Sequence, residues 1–347
     1  MKALNLHNIS DLRYEEVESP VPGNDEVLIK VLAAGICGSD VPRVFTKGTY
    51  NYPTIPGHEF AGKIIDVGDS KDSHLVEKRV AVFPLLPCFS CDACKDENFA
   101  SCANYDYYGS RRDGAFAETI AVKKWNLVPI PDGVPIEWAA MAEPCAVAIH
   151  ALDKAELQKG DTIAIFGAGA IGLIIAALAR AKGAQNVILL DIDKSKLDFA
   201  NSLGIEHSFC NDSDDYLSEI LRVTDGKGAD ICLDAAGVPA TVAGCLRAAT
   251  SFATVILMGN PLGDIKLSQK DYWEILRKQL TLRGTWNSDY SSKKNDWAQA
   301  LSLMADGTLD LEKFITHRFT LSEGEKAFDL ARDRDEFYVK ILFVNEE

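Results

Sequence analysis

At 347 residues the chain is long enough for about two domains, and its 47% hydrophobic and 25% charged residues are those of a globular protein with a sizeable core. A net charge of −15 excludes a general binder of nucleic acid or anionic membranes and requires a local basic pocket for any anionic substrate. The opening MKALNLHNISDLRYEE has no apolar signal core, and the longest apolar stretch, Ile171 to Ala179, is too short to cross a bilayer, so a cytoplasmic protein is expected.

Glu26–Ala34 is rich in β-formers and predicts a strand, as do Phe60–Val67 and Arg79–Phe83. Pro20, Pro22–Gly23, Pro53, Pro56–Gly57 and Pro84 punctuate them as turns. Two short runs between these strands carry metal-binding residue types: Cys37 in Gly35-Ile36-Cys37-Gly38-Ser39-Asp40, and His58 with Glu59 in Gly57-His58-Glu59-Phe60. Glu143, in Ala142-Glu143-Pro144, adds a carboxylate. A thiolate, an imidazole and a carboxylate suit a zinc that keeps one position open. Taken singly, each residue reads equally well as a turn or core residue.

Cys88, Cys91, Cys94 and Cys102 follow the pattern C-x2-C-x2-C-x7-C. Four thiolates aimed at one centre match the tetrahedral preference of Zn2+ and leave no open position, so the site is structural. The rivals are a disulfide pair, which lacks a secretory context, free core cysteines, and an iron–sulfur cluster, which lacks the proline after the last cysteine of the bacterial ferredoxin run. Cys145, Cys210, Cys232 and Cys245 read as small core residues.

From Asp161 to about Gly284 the texture changes. Strands are predicted at Thr162–Phe166, Val187–Asp191, Ile231–Ala235 and Thr254–Met258, with helices at Ala170–Lys182, Lys194–Leu203, Tyr216–Val223 and Ala240–Ala249. This alternation predicts right-handed βαβ units and a parallel sheet covered on both faces. Gly167-Ala168-Gly169-Ala170-Ile171-Gly172 closes one strand and opens a helix, and Asp191 ends the next strand. That context makes the run a dinucleotide-binding fingerprint, with the pyrophosphate on the helix N-terminus and Asp191 on the adenosine ribose. A carboxylate there repels a 2′-phosphate and Ile192 offers no positive replacement, so NAD is favoured over NADP. From about Ser288 the tail carries a helix near Asp296–Met304 and a strand at Val339–Val344, suggesting a first domain built from both ends of the chain.

With CGSD, GHEFAG, the cysteine lobe, DGAFAE (Asp113–Glu118), AEP and GAGAIG in this order and spacing, the chain resembles the zinc-dependent medium-chain dehydrogenase/reductase family, polyol dehydrogenase branch. The resemblance implies an α/β protein. Its GroES-like β domain would take residues 1–150 and 288–347, with the structural zinc lobe at 88–102, and a Rossmann domain would take 151–287. It also implies two zinc ions per chain, a homodimer or homotetramer, and oxidation of a secondary alcohol to a ketone. Cys37, His58 and Glu59 or Glu143 would hold the catalytic zinc, with Ser39 taking the proton. The runs CGSDVPRVF, FPLLPCFSC, YDYYGSRRDGAFAE and GTWNSDYSS imply a polyol phosphate as substrate. Where polyol dehydrogenases carry a relay histidine this chain has Pro42, so the proton path must differ. Arg43, Lys47, Arg111 and Arg112 are the candidate phosphate grips, Arg43 foremost. The alternatives are an unphosphorylated polyol, another polyol phosphate, or a non-catalytic dinucleotide-binding protein.

Overall fold

The computed structural model describes residues 1–213, 215–261 and 263–345. The chain divides into two compact units, one made of Met1–Ala146 with Asp289–Glu347 and the other of Val147–Ser288.

The contiguous unit contains, among the described residues, a six-stranded parallel sheet. In spatial order its strands are His207–Cys210, Asn186–Asp191, Thr162–Phe166, Ala229–Asp234, Ala249–Leu257 and Thr281–Gly284. The chain starts in the middle, winds outward one way and returns to wind the other. The order therefore reverses between Thr162–Phe166 and Ala229–Asp234, where doubly wound sheets open a crevice at the strands' carboxyl ends. The strand Thr162–Phe166 is buried along its whole length, as a central parallel strand with both faces covered must be. Phe166, Ile188, Leu190, Cys232, Leu246 and Val255 form the core on one face. Each large apolar side chain so buried contributes about 1.5–3 kcal/mol.

The discontinuous unit holds a seven-stranded sheet among the described residues. Its central strand Glu26–Gly35 pairs antiparallel with Glu59–Val67, with Thr119–Lys123 and with the late strand Lys340–Val344. Phe116, Phe328 and Phe343 pack beneath it, with ring centroids 5.0–6.4 Å apart. Among the described residues no helix is long and apolar enough to cross a membrane.

Several elements escape the sequence pattern. The edge strands are short, His207–Cys210 half-buried and Thr281–Gly284 mostly exposed, so no apolar run marks them. The helix Ala142–Ala155 carries Pro144 in its first turn, where a missing N–H costs nothing, and its buried residues span most of its circumference. The helices Gln269–Lys278 and Gly324–Asp333 and the hairpin Lys2–Asn8/Asp11–Glu16 are likewise additional. Cys145, Cys232 and Cys245 are buried, but Cys210 is exposed, a correction. It is the last residue of the edge strand His207–Cys210, at the rim of the sheet.

Candidate metal centres and dinucleotide loop

The four-cysteine lobe is built locally. Cys91 precedes the short helix Asp92–Lys95, which carries Cys94, and a turn at 99–101 delivers Cys102. The four sulfurs lie within 4.8 Å of one another, with Cys91 Sγ 3.5 Å from Cys94 Sγ and 3.9 Å from Cys102 Sγ. All nine cysteines of the chain are free thiols. The Ser90 hydroxyl (3.3 Å), with the Ser90 and Cys91 backbone, holds the Cys88 thiol down to about 5, while burial pushes Cys94 up to about 12. The Cys88 N–H donates to Cys102 Sγ at 3.3 Å. Donors aimed at sulfur stabilise thiolate, the form that binds zinc. Phe89, Phe99 and Trp125 brace the lobe edge to face, with centroids 5.0–5.8 Å apart.

The second centre is assembled by sheet register. Gly35 and Glu59 are direct partners across the Glu26–Gly35/Glu59–Val67 pair, so Cys37, just past one strand, meets His58 and Glu59 at the start of the other. The ligand atoms of these three residues lie within 4.8 Å of one another. Glu143 stands outside that group, buried in the first turn of the Ala142–Ala155 helix. Burial, and then the Glu59 carboxylate, push its carboxyl up to about 7. The donor set, one sulfur, one imidazole nitrogen and carboxylate oxygen, suits zinc with an open position.

The surroundings of this centre are charged and buried. Asp40 is fully buried; it accepts from the Cys37 N–H at 3.0 Å, ion-pairs with Arg43, and lies 3.5 Å from His58 Nδ1. Burial opposes the His58 imidazolium, yet Asp40 and Cys37 outweigh it and raise His58 well above its ordinary value. A carboxylate behind a metal-binding histidine fixes its ring and raises its basicity. The Ser39 N–H lies 3.5 Å from Cys37 Sγ. The ring of Tyr107 lies 5.7 Å from that of His58; desolvation and then Glu143 raise its phenol well above its ordinary value.

Lys340 is the residue that sequence reasoning missed. It is 3% exposed, ion-pairs with Glu59 and donates to the Ile36 carbonyl at 3.0 Å. A Cβ on Gly35 would come within 2.5 Å of Glu59 Oε2 and 2.7 Å of Lys340 Cε, so Gly35 is the one signal in the sequence that space is reserved there.

The four candidate phosphate grips are scattered. Arg43 is engaged by Asp40, Lys47 is exposed, and Arg112 Nε lies 3.2 Å from Asp106. Arg111 is set between the rings of Tyr50 and Tyr105.

In the contiguous unit the glycine loop follows Phe166. A Cβ on Gly172 would strike the Gly167 carbonyl at 1.9 Å, whereas a Cβ on Gly169 would meet nothing within 4 Å, leaving open space at the N-terminus of Ala170–Ala181 beside the loop. Ile171 is half-buried in that first turn. Asp191 accepts from the Ala168 and Asp193 N–H groups at 2.8 and 2.9 Å. Lys196 Nζ, also absent from the sequence reading, lies 3.5 Å from its carboxylate. The open cradle and the acid fit a dinucleotide pyrophosphate and ribose.

Comparison with known proteins follows the same division. Residues 23–132 match the alcohol dehydrogenase GroES-like domain and residues 170–306 match the zinc-binding dehydrogenase family. Galactitol 1-phosphate 5-dehydrogenase of Escherichia coli (strain K12) is 38% identical over 324 residues, covering 92% of this chain and 93% of that one. A crystal structure of galactitol-1-phosphate dehydrogenase from Escherichia coli has a TM-score of 0.91 at 37% identity, over 99% of this chain and all of that one. Sorbitol dehydrogenase of Bacillus subtilis (strain 168) is 34% identical over 95% of this chain and 93% of its own. An Escherichia coli CFT073 alcohol dehydrogenase solved with the cofactor NADH has a TM-score of 0.91 at 29% identity, over 99% of each chain.

Proposed function

The chain belongs to the zinc-dependent alcohol and polyol dehydrogenase family, and from that premise we propose that it oxidises a secondary hydroxyl of a polyol phosphate to a ketose phosphate with NAD. Galactitol 1-phosphate, giving tagatose 6-phosphate, is the specific substrate proposed. The observation that carries the chemistry is the Cys37–His58–Glu59 cluster, with His58 and Glu59 buried, Cys37 half-buried and Glu143 outside it. The choice of polyol rests on chain-long likeness to an enzyme of that substrate.

Cys37 and His58 would hold the catalytic zinc, with Glu59 or Glu143 completing the set, and the four-cysteine lobe would hold a structural one. When bound, zinc polarises the substrate hydroxyl and the nicotinamide accepts the hydride. Asp40 stands behind the His58 ring, 3.5 Å from Nδ1, and Arg43 balances the buried Asp40 charge. Lys340 pairs with Glu59 where both side chains are buried, so the two side chains lie beside each other's charged ends. Ser39 is the proposed first carrier of the substrate proton, because Pro42 has no group to carry one. Gly167, Gly169, Ile171 and Gly172 would cradle the cofactor pyrophosphate and Asp191 its adenosine ribose.

The likeness to sorbitol dehydrogenase supports a second reading, an unphosphorylated polyol, and the commitment of Arg43 to Asp40 favours it too. We also propose a cytoplasmic homodimer or homotetramer. The edge strand Thr281–Gly284 and the exposed Trp273, Leu276, Leu282 and Trp286 support self-association of this unit. The deciding experiment is NAD reduction against galactitol 1-phosphate, galactitol, sorbitol, xylitol and pentitol phosphates. A kcat/KM highest for galactitol 1-phosphate supports the reading, and one highest for a free polyol overturns it.

A further inference from the structure

Arg111 differs from every other candidate grip in how its charge is held. Its guanidinium carbon lies 4.4 Å from the ring centroid of Tyr50 and 4.4 Å from that of Tyr105. Among the described residues no carboxylate pairs with it. Its backbone is fixed on both sides: the N–H donates to the Tyr107 carbonyl at 3.0 Å, and the carbonyl accepts from Asn51 Nδ2 at 3.0 Å. The neighbouring Ser110 carbonyl accepts from the Thr49 hydroxyl.

A guanidinium held against two aromatic rings, with no carboxylate on it, keeps N–H donors for a ligand. Those donors match two oxygens of a phosphomonoester, and holding the group in advance reduces the ordering cost of binding. The contact also accounts for Tyr50, which is 66% exposed yet large and aromatic, since its ring lies 4.4 Å from the Arg111 guanidinium carbon. Aromatic rings connect the clamp to the metal cluster in the same unit. Tyr105 lies 6.2 Å from Tyr107, and Tyr107 lies 5.7 Å from His58. The guanidinium thus stands two rings away from a metal-binding side chain.

We propose that Arg111, clamped between Tyr50 and Tyr105, grips the substrate phosphate and so decides for phosphorylated over free polyols. The inference rests on the polyol-phosphate reading above and assigns its anion subsite. Arg43, tied to Asp40, then supports His58 and does not meet the phosphate.

The test compares wild type, Arg111→Gln, Arg111→Lys and Tyr50→Ala on galactitol 1-phosphate and on galactitol at saturating NAD, with metal content and melting temperature measured for each. Inorganic phosphate serves as a separate probe, as a competitive inhibitor. In Arg111→Gln, kcat/KM for galactitol 1-phosphate falls about ten- to hundredfold, chiefly through KM, and by at least about tenfold more than for galactitol. The inhibition constant for phosphate rises in parallel. Arg111→Lys recovers part of the loss. Tyr50→Ala, which removes only the exposed ring, gives a smaller loss in the same direction. Equal losses on both substrates, or unchanged phosphate inhibition in Arg111→Gln, would overturn the assignment and leave the substrate reading standing. A wild type with no preference for the phosphate ester overturns the substrate reading itself, and Arg111 with it.

Discussion

The cysteine lobe and the Cys37–His58–Glu59 centre lie in one folding unit and are made in opposite ways. The lobe draws all its donors from residues 88 to 102, and its sulfurs meet through turns and a helix of four residues. It is neutralised by backbone and hydroxyl donors, and two of its thiols are half-exposed. The other centre draws on the start of one strand, the exit of another and a helix, and its charges are balanced by Asp40, Arg43 and Lys340 from inside the protein. Metal binding to the first is tied to local folding; the second is held by the sheet before any ligand arrives. The difference teaches that the same chemical group can be a staple or a tool depending on what fixes it.

The comparison breaks most visibly by removing one donor from each centre. Cys37→Ser is expected to lower kcat/KM by about a thousandfold while the melting temperature barely moves. Cys94→Ser is expected to lower the melting temperature by about 5–10 °C, with the remaining activity limited by how much protein stays folded. Each variant should carry one zinc where the wild type is expected to carry two, by elemental analysis. If Cys94→Ser matched the wild type in heat scans, the lobe would not be a staple.

Lys340→Met tests whether the second centre depends on internal charge balance. With metal removed by chelation, it should destabilise the protein by about 3–5 kcal/mol in urea, because Glu59 is left buried and unpaired. Added zinc should recover much of this, whereas it would not rescue an ordinary packing defect.

Asp40→Asn should weaken zinc binding at the second centre about ten- to hundredfold, read by competition with a chelator, and leave the lobe's metal in place. Equal weakening at both centres would mean that Asp40 acts through the fold.

The smallest effect belongs to an ion pair remote from metal chemistry and sets the floor for the others. The Asp271 carboxyl is held below its ordinary value by Arg247, against burial, with help from Ser268. Asp271→Asn should cost about 1–2 kcal/mol at neutral pH. A carboxyl with a lowered folded value stabilises above its unfolded value of 3.8 and loses that contribution as pH falls through the folded value. The wild-type advantage should therefore be flat from about pH 5 to 8 and shrink below 3.8 in urea titrations.

What could be read from the sequence follows the same division. The lobe and the GAGAIG loop with Asp191 are legible because their geometry is set by spacing along one stretch of chain. The members of the second centre were recognisable as residue types, yet nothing local says that Glu59 enters the cluster while Glu143 stands beside it; the Gly35–Glu59 register decides that. Lys340 opens an apolar strand and reads as a surface charge, since its partner is 281 residues away. The edge strands His207–Cys210 and Thr281–Gly284 escape the pattern because partly and mostly exposed strands carry no apolar run.

The pairing of Glu26–Gly35 with Lys340–Val344 also sets an order of events during synthesis. A strand made early waits for a partner that emerges some 300 residues later, Lys340 and Ile36 being 304 positions apart. The unit from Val147 to Ser288 has the six sheet strands found among its described residues within one stretch and can close while the earlier half is still incomplete. Until Lys340 is translated, Glu59 lacks the ammonium that pairs with it in the finished fold. A nascent chain would therefore carry a finished nucleotide fold beside an unfinished metal centre, and would acquire its reactive zinc only as synthesis draws toward its close.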